Sequence, residues 1–143
     1  ENSCVLAMTG TNFLLKKKLD EMQFSNDVRT YGFVNNMDEF LDAADFIVCK
    51  PGGLSTQEAL AKGRIMILMP PLPGVEDSNL AFLLNNSMAV HTNKFMPLND
   101  VILQLMADSD RISHIRSQIH KWAKPNSSQM IGDFIIEKYN NSR

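Results

Sequence analysis

A pair of glycines followed by two polar side chains forms an arrangement that can hold an anion. Gly52 and Gly53 come directly after the apolar run 46–49, and Ser55 and Glu58 stand at the start of a helical pattern. The sequence therefore predicts a strand, a tight glycine turn and a helix start. Because such a turn leaves unpaired backbone N–H groups at the positive end of a helix dipole, it suits a phosphate group. We expect it to bind a nucleotide.

A purely structural interpretation fits the same residues. Ser55 and Glu58 match the S-x-x-E capping box, in which both side chains satisfy helix N-terminal donors, and the spacing alone does not separate the two interpretations. The two glycines also lack the longer spacings of dinucleotide and P-loop motifs. The next segment favours ligand binding, because a second apolar run, 65–69, ends in the polar loop 70–79 and another helix start. Two neighbouring strands then end in polar loops.

Together these loops resemble a known family. Residues 45–59 read D-x-x-V-x-K-P-G-G-x-S-x-x-E-A, and residues 71–79 read P-x-P-G-x-E-x-x-N. This linked pair is similar to the donor-binding C-terminal domain of glycosyltransferase family 28. The most similar members are the processive diacylglycerol glucosyltransferases and monogalactosyldiacylglycerol synthase, and the likeness covers about Thr9 to Asn79.

The resemblance implies a role for each matching residue. Gly52, Gly53 and Ser55 would contact the diphosphate of a UDP-sugar and Glu58 the ribose hydroxyls. The remaining implied donor-binding positions are Phe33 and Val34 at the uracil, and Gly74, Glu76 and Asn79 at the sugar or a nearby phosphate. Thr9, Gly10 and Asn12 resemble the family's C-G-x-N turn, with threonine replacing cysteine. That turn also fits a plain strand-to-helix connection, and Phe33 by itself is more typical of a core residue.

Val75 departs from the family pattern. Related lipid glycosyltransferases usually read P-G-Q-E where this chain has Pro73-Gly74-Val75-Glu76. If Val75 faces the sugar, one polar contact is missing and discrimination between glucose and galactose should soften. If Val75 instead packs into the core, the loop is only slightly shifted from its position in the related enzymes.

The order of elements predicts an α/β fold. Strand and helix alternate about every 25 residues, which is typical of a Rossmann-like parallel sheet with helices on both faces. Ligands of such sheets bind at the carboxyl ends of the strands. The resemblance adds that this is the C-terminal half of a GT-B glycosyltransferase. It implies a UDP-sugar-binding domain over 1–124, lacking its first βα unit, and a helix over 125–143 that crosses toward an absent N-terminal domain.

The composition of the chain bears on whether it binds nucleic acid or a membrane. The net charge of −2 gives no general attraction to nucleic acid, and Lys16, Lys17 and Lys18 suit a solvated helix face. Cys4 and Cys49 lie in apolar runs, which predicts reduced core cysteines and a cytoplasmic location. No apolar stretch reaches the roughly 20 residues that span a bilayer, so any membrane contact is expected to be peripheral.

The resulting hypothesis is the donor half of an inverting glycosyltransferase that moves a hexose from a UDP-sugar to a lipid such as diacylglycerol. The acceptor would bind the missing N-terminal domain, and we expect no metal, no cofactor and no catalytic residue in this chain. His91, His114 and His120 have no catalytic partner pattern. The fragment alone should be inactive. Half of a UDP-sugar epimerase and a non-catalytic UDP-sugar-binding module remain as alternatives.

Overall fold

A computed structural model describes residues 3–141 of the protein. Strands and helices alternate from the first strand to the fifth, and three further helices complete the chain. In chain order the elements are β1 (Cys4–Met8), α1 (Phe13–Asp20), β2 (Asp27–Tyr31), α2 (Met37–Ala43), β3 (Phe46–Cys49), α3 (Gly53–Ala61), β4 (Ile65–Leu68), α4 (Asp77–Asn85), β5 (Ala89–His91), α5 (Leu98–Ala107), α6 (Ser109–Trp122) and α7 (Ser127–Asn141).

The chain divides into two compact units, of which the first ends at Phe40. In this unit β1 pairs in parallel with β2, with α1 as the connection between them. Tyr31 packs edge-on against Phe40, with ring centroids 4.9 Å apart. None of its described side chains is fully buried. Cys4 is exposed, so the prediction of a core cysteine there is wrong; it lies at the first residue of a strand in a two-stranded sheet.

The second unit begins at Leu41 and holds a three-stranded parallel sheet in the order β3-β4-β5. Its central strand β4 is entirely apolar and all four of its residues are buried. A continuous apolar run is what a strand needs when both faces of its sheet are covered. Strand β5 and the residue before it add Met88, Ala89 and Val90 to the core. Helices α3, α4, α5 and α6 contribute Ala59, Leu60, Leu83, Val101, Leu105, Ile115 and Ile119. Cys49, at the end of β3, is half-buried.

The predicted parallel pairing and alternation of strands and helices are confirmed. The five strands form two sheets, however, because backbone hydrogen bonds join β1 only to β2, and β4 only to β3 and β5. The helix predicted over 125–143 is present as α7, which spans Ser127–Asn141. Within residues 3–141, no helix is both long enough and apolar enough to cross a membrane. The proposed division of the chain at residue 125 stays a prediction.

Candidate functional site

The turn between β3 and α3 begins a helix without using any side chain as a cap. Gly52 is the N-cap residue, in an extended conformation with φ −72° and ψ 150°, and its carbonyl accepts the Thr56 N–H at 3.2 Å. Ser55 is therefore the third residue inside α3 and not its cap. The capping-box interpretation of Ser55 and Glu58 is wrong, because the helix starts three residues earlier than a serine cap requires.

The first backbone donors of α3 consequently stay free. No described residue accepts a hydrogen bond from the N–H groups of Gly53, Leu54 or Ser55. The Thr56 hydroxyl does not satisfy them either, because it donates to the Gly52 carbonyl at 2.6 Å. Free N–H groups in the first turn, with the positive end of the dipole, form a site that attracts anions.

Neither glycine of this turn is needed for its backbone conformation. Gly52 and Gly53 both lie outside the left-handed region that favours glycine, unlike Gly10, Gly63 and Gly74. A Cβ atom at Gly53 would meet nothing within 4 Å, and one at Gly52 would lie 3.6 Å from Glu76 Oε1, an ordinary contact. Glycine here leaves space above the backbone donors, which lets a ligand approach them closely.

Glu58 and Ser55 lie on the same side of α3, since residues three apart are neighbours on a helix surface. Both side chains are exposed. Among residues 3–141 neither makes a side-chain hydrogen bond or ion pair. The Glu58 carboxylate can therefore accept hydrogen bonds from a pair of vicinal hydroxyl groups, as the resemblance to family 28 predicts.

The loop between β4 and α4 is held by its own polar groups. Glu76 Oε2 accepts the Leu72 N–H at 2.7 Å, and Asp77 Oδ2 accepts the Gly74 N–H at the same distance. Gly74 has a φ of +80°, a conformation that requires glycine. Val75 is 74% exposed, so the interpretation that it packs into the core is wrong. Hydrogen bonds fix the residues on either side of Val75, Gly74 and Glu76, and the turn presents the Val75 side chain to solvent.

Asn79 joins this loop to the glycine turn. Its side-chain amide donates to the Pro51 carbonyl at 3.1 Å, across 28 residues of sequence. The Glu76 carboxylate also faces Gly52, as the 3.6 Å distance from Oε1 to a Cβ at that position shows. The structure thus brings Gly52, Glu76 and Asn79 together at the carboxyl end of the second unit's sheet.

The Cys49 thiol lies at this end of the sheet, at the last residue of β3. Burial raises the pKa of the Cys49 thiol, and the negative charge of Glu76 raises it further. The thiol is therefore held neutral and is a poor nucleophile. No group of three or more His, Cys, Asp or Glu residues in the described part of the chain could hold a metal ion.

In the first unit, two of the three residues of the predicted turn make side-chain hydrogen bonds within the protein. Asn12 Oδ1 caps α1 by accepting the Leu15 N–H at 3.0 Å, and the Thr9 hydroxyl donates to the Tyr31 carbonyl at 3.1 Å. Gly10, with φ +56°, provides the left-handed residue between them. These bonds suit a plain strand-to-helix turn, the simpler of the two interpretations of the sequence, and a ligand contact at this turn stays a prediction.

Phe33 and Val34, the predicted uracil contacts, follow β2 in the first unit. Phe33 is 71% exposed, which excludes the core role that a lone phenylalanine usually has. Val34 is half-buried. Their contact with a base stays a prediction, as do the ligand roles of all the site residues.

Sequence reasoning missed the groups that hold the loops in place. These are the Pro51 carbonyl, the Leu72 N–H and the Asp77 carboxylate. The two backbone groups leave no trace in side-chain identity. Only Asp77, three residues after a glycine in a turn, carries a signal, since aspartate often accepts nearby backbone N–H groups.

Comparison with known proteins shows the family to which the chain belongs. The model of the glycosyltransferase family 28 C-terminal domain matches residues 2–92. The chain belongs to glycosyltransferase family 28. Its match ends just after β5 and includes both loops of the candidate site.

Curated relatives extend the likeness over nearly the whole chain. The chain is 31% identical over 140 residues to the processive diacylglycerol beta-glucosyltransferase of Bacillus licheniformis, covering 96% of this chain and 37% of the relative. The enzyme of the same name from Bacillus subtilis is 29% identical over 136 residues, covering 94% and 36%. The chain therefore spans little more than a third of the length of these family 28 relatives.

Solved structures confirm the fold class. MurG of Acinetobacter baumannii superposes with a TM-score of 0.72 at 16% identity, over 96% of this chain and 42% of that chain. The spinosyn forosaminyltransferase SpnP gives 0.61 at 14% identity, over 95% and 44%. The predicted α/β fold, half of a GT-B glycosyltransferase, is confirmed.

Proposed function

We propose that this chain is the donor-binding part of an inverting glycosyltransferase that moves a hexose from a UDP-sugar to a lipid acceptor such as diacylglycerol. The observation that carries the proposal is the open start of α3. Its first three N–H groups are free, and Gly53 leaves open space above them although its backbone does not require glycine. A diphosphate supplies the anionic oxygens that such a turn is built to accept.

The side chains around the turn suit the rest of a UDP-sugar. Glu58 offers an unpaired carboxylate to the ribose hydroxyls, and Ser55 offers a hydroxyl to the diphosphate. Glu76 has one carboxylate oxygen, Oε1, that accepts no hydrogen bond from the described residues and is available to the sugar. Donors fixed around the diphosphate would also stabilise the negative charge that develops on the departing UDP. Gly74 and Asn79 act by shaping and anchoring the loop that holds Glu76.

The support for a lipid acceptor comes from the names of the relatives and not from the geometry of the site. Their names specify diacylglycerol as acceptor, and they are nearly three times as long as this chain. We propose that an N-terminal domain provides the acceptor site and the general base, and brings the enzyme to the cytoplasmic face of a membrane. Helix α7, which exposes Ile131, Phe134 and Ile135, is the segment proposed to cross toward that domain. Family membership also disfavours the epimerase alternative.

Titration calorimetry of the isolated chain with UDP, ADP and GDP tests the proposal. UDP should bind at least about tenfold more tightly, since the proposal includes uracil contacts at Phe33 and Val34. Glu58→Gln should weaken UDP binding without lowering the melting temperature, because the exposed Glu58 side chain makes no hydrogen bond or ion pair with any residue that the structure describes. Gln57→Glu, which alters charge at the adjacent exposed position, is the matched control. Equal affinities for UDP and ADP would remove uracil from the proposal.

The chain by itself should not transfer sugar, because it holds no proposed general base. Incubation with labelled UDP-glucose or UDP-galactose and diacylglycerol vesicles should leave the donor intact. Glycolipid formation by the isolated chain would show that the catalytic groups lie within it. Binding of UDP without turnover by the full-length enzyme would instead favour the non-catalytic module.

A further inference from the structure

A second recess lies at the opposite end of the second unit's sheet from the donor site. This basic cleft, defined by Leu60, Gly63, Arg116 and His120 among its lining residues, has a volume of about 440 Å³. Gly63 precedes β4, whereas Glu76 follows it. The four residues of β4 rise roughly 13 Å. The basic cleft is therefore separate from the donor site.

Two nitrogen-bearing side chains face the basic cleft from one side. Arg116 and His120 are four residues apart on α6, so they lie on the same face of that helix. Within the described part of the chain neither forms an ion pair or a side-chain hydrogen bond. No Asp or Glu residue is among the residues that line the cleft. A permanently charged guanidinium and an imidazole without an acidic partner suit an anion.

The helix dipole does not account for both of these groups. Cations in the last turn of a helix compensate its negative end, and His120 lies in the last turn of α6. Arg116 lies before that turn, where the effect of the dipole has fallen off. Its exposed side chain is therefore available to a ligand in the cleft.

The remaining walls of the basic cleft are apolar. Leu60 and Ala61 come from the end of α3, and Ala123 and Pro125 follow α6. The volume lies within the range of about 300 to 1,000 Å³ that is usual for small-ligand sites. A ligand that fits these walls carries an apolar body beside its anionic group.

We propose that the basic cleft binds a small phosphate monoester with an apolar body, its phosphate held by Arg116 and His120. The same chemistry is present in a free aryl or alkyl phosphate and in the phosphate headgroup of a lipid. The proposal does not depend on the donor site, because no residue is shared between them.

Phenyl phosphate is the probe for this site. Titrated into the ¹⁵N-labelled chain, it should shift the amide resonances of Gly63 and Ala123 saturably, and those of Gly53 and Ser55 should follow a different titration curve. The double variant Arg116→Gln/His120→Gln should weaken the Gly63 response at least about tenfold. Arg111→Gln, an exposed arginine on the same helix outside the cleft, is the matched control and should leave the response unchanged.

No saturable shift at Gly63 up to millimolar phenyl phosphate would overturn the proposal, as would equal losses in the double variant and in Arg111→Gln. Melting temperatures of the variants exclude unfolding as the cause of a loss. Co-sedimentation with phosphatidate and phosphatidylcholine vesicles shows whether the bound phosphate belongs to a lipid headgroup or to a free compound. Retention on phosphatidate alone, lost in the double variant, assigns the site to a lipid headgroup, whereas phenyl phosphate binding without retention assigns it to a free phosphate. UDP affinity should be the same throughout, so failure here leaves the donor-site proposal intact.

Discussion

The turn after β1 and the turn after β3 both contain glycine and both open a helix, yet they treat the helix donors in opposite ways. In the first, Asn12 caps α1 by accepting the Leu15 N–H, and Gly10 adopts a left-handed conformation to allow the turn. In the second, Gly52 is the cap and offers no side chain, so the first N–H groups of α3 stay free.

The difference separates a turn in which a side chain caps the helix from one in which no described residue accepts the first helix donors. A side-chain cap satisfies one of the donors that an anion would otherwise bind. A glycine cap leaves the donors available and adds no atoms in front of them. Two glycine-containing turns with similar predicted structure therefore differ in the backbone donors that they leave available, and substitutions can test whether that difference governs binding.

The largest expected contrast is between Gly53→Ala and Gly10→Ala. A methyl group at Gly53 meets open space and suits a helix, so the fold should keep its stability. The methyl would, however, occupy the space in which we propose that the diphosphate binds. UDP affinity should fall at least about tenfold. At Gly10, with φ +56°, alanine should instead cost about 1 to 2 kcal/mol of stability. Calorimetry and thermal melting measure both quantities.

In that pair each variant is the control for the other. The comparison fails if Gly53→Ala lowers the melting temperature and Gly10→Ala abolishes UDP binding while remaining folded. That outcome would make the β1 turn the ligand-binding one.

Val75→Gln extends the comparison to the loop after β4. Because Val75 is 74% exposed, glutamine should be accommodated without loss of stability. In the full-length enzyme the ratio of kcat/KM for UDP-glucose to that for UDP-galactose should change about threefold or more, since a new polar group can discriminate the epimers. Leu72→Gln, at a half-exposed position of the same loop, is the control. An unchanged ratio would place Val75 away from the sugar.

The smallest expected effect tests whether the charge of Glu76 reaches the end of β3. Burial and, to a lesser degree, Glu76 raise the pKa of Cys49, so at pH 8 the thiolate is scarce and alkylation is slow. Glu76→Gln removes the smaller cause, which lowers the pKa and should speed iodoacetamide alkylation by about two- to fivefold. The variant is made in a Cys4→Ser background so that only Cys49 reacts.

Asp77→Asn is the matched control for Glu76→Gln in the alkylation of Cys49, because it also removes one negative charge from the loop between β4 and α4. A rate unchanged by Glu76→Gln, or changed equally by both substitutions, would show that the Glu76 carboxylate does not act on the thiol.

The sequence by itself determined the local elements of this fold. Apolar runs such as 46–49 and 65–69, each followed by proline or glycine and polar residues, predict buried strands followed by helix starts. Burial is confirmed for β4 but is wrong for β3, where Val48 is 46% exposed. Parallel pairing follows, because strands joined through helices must return in the same direction. The positions of both site loops could be predicted for the same reason. They are set by residues close together in the chain.

Only the tertiary structure decided which polar groups remain free. Ser55 and Glu58 match a capping box in sequence, and the outcome depends on where α3 begins, which the packing of Thr56 and Ala59 into the second unit favours. The same holds for Asn79, whose amide is taken by the Pro51 carbonyl 28 residues earlier. The exposure of the Phe33 and Val75 side chains is likewise a property of the folded chain. Hydrogen bonds and burial between distant segments cannot be read from local spacing, because they exist only when the chain has folded.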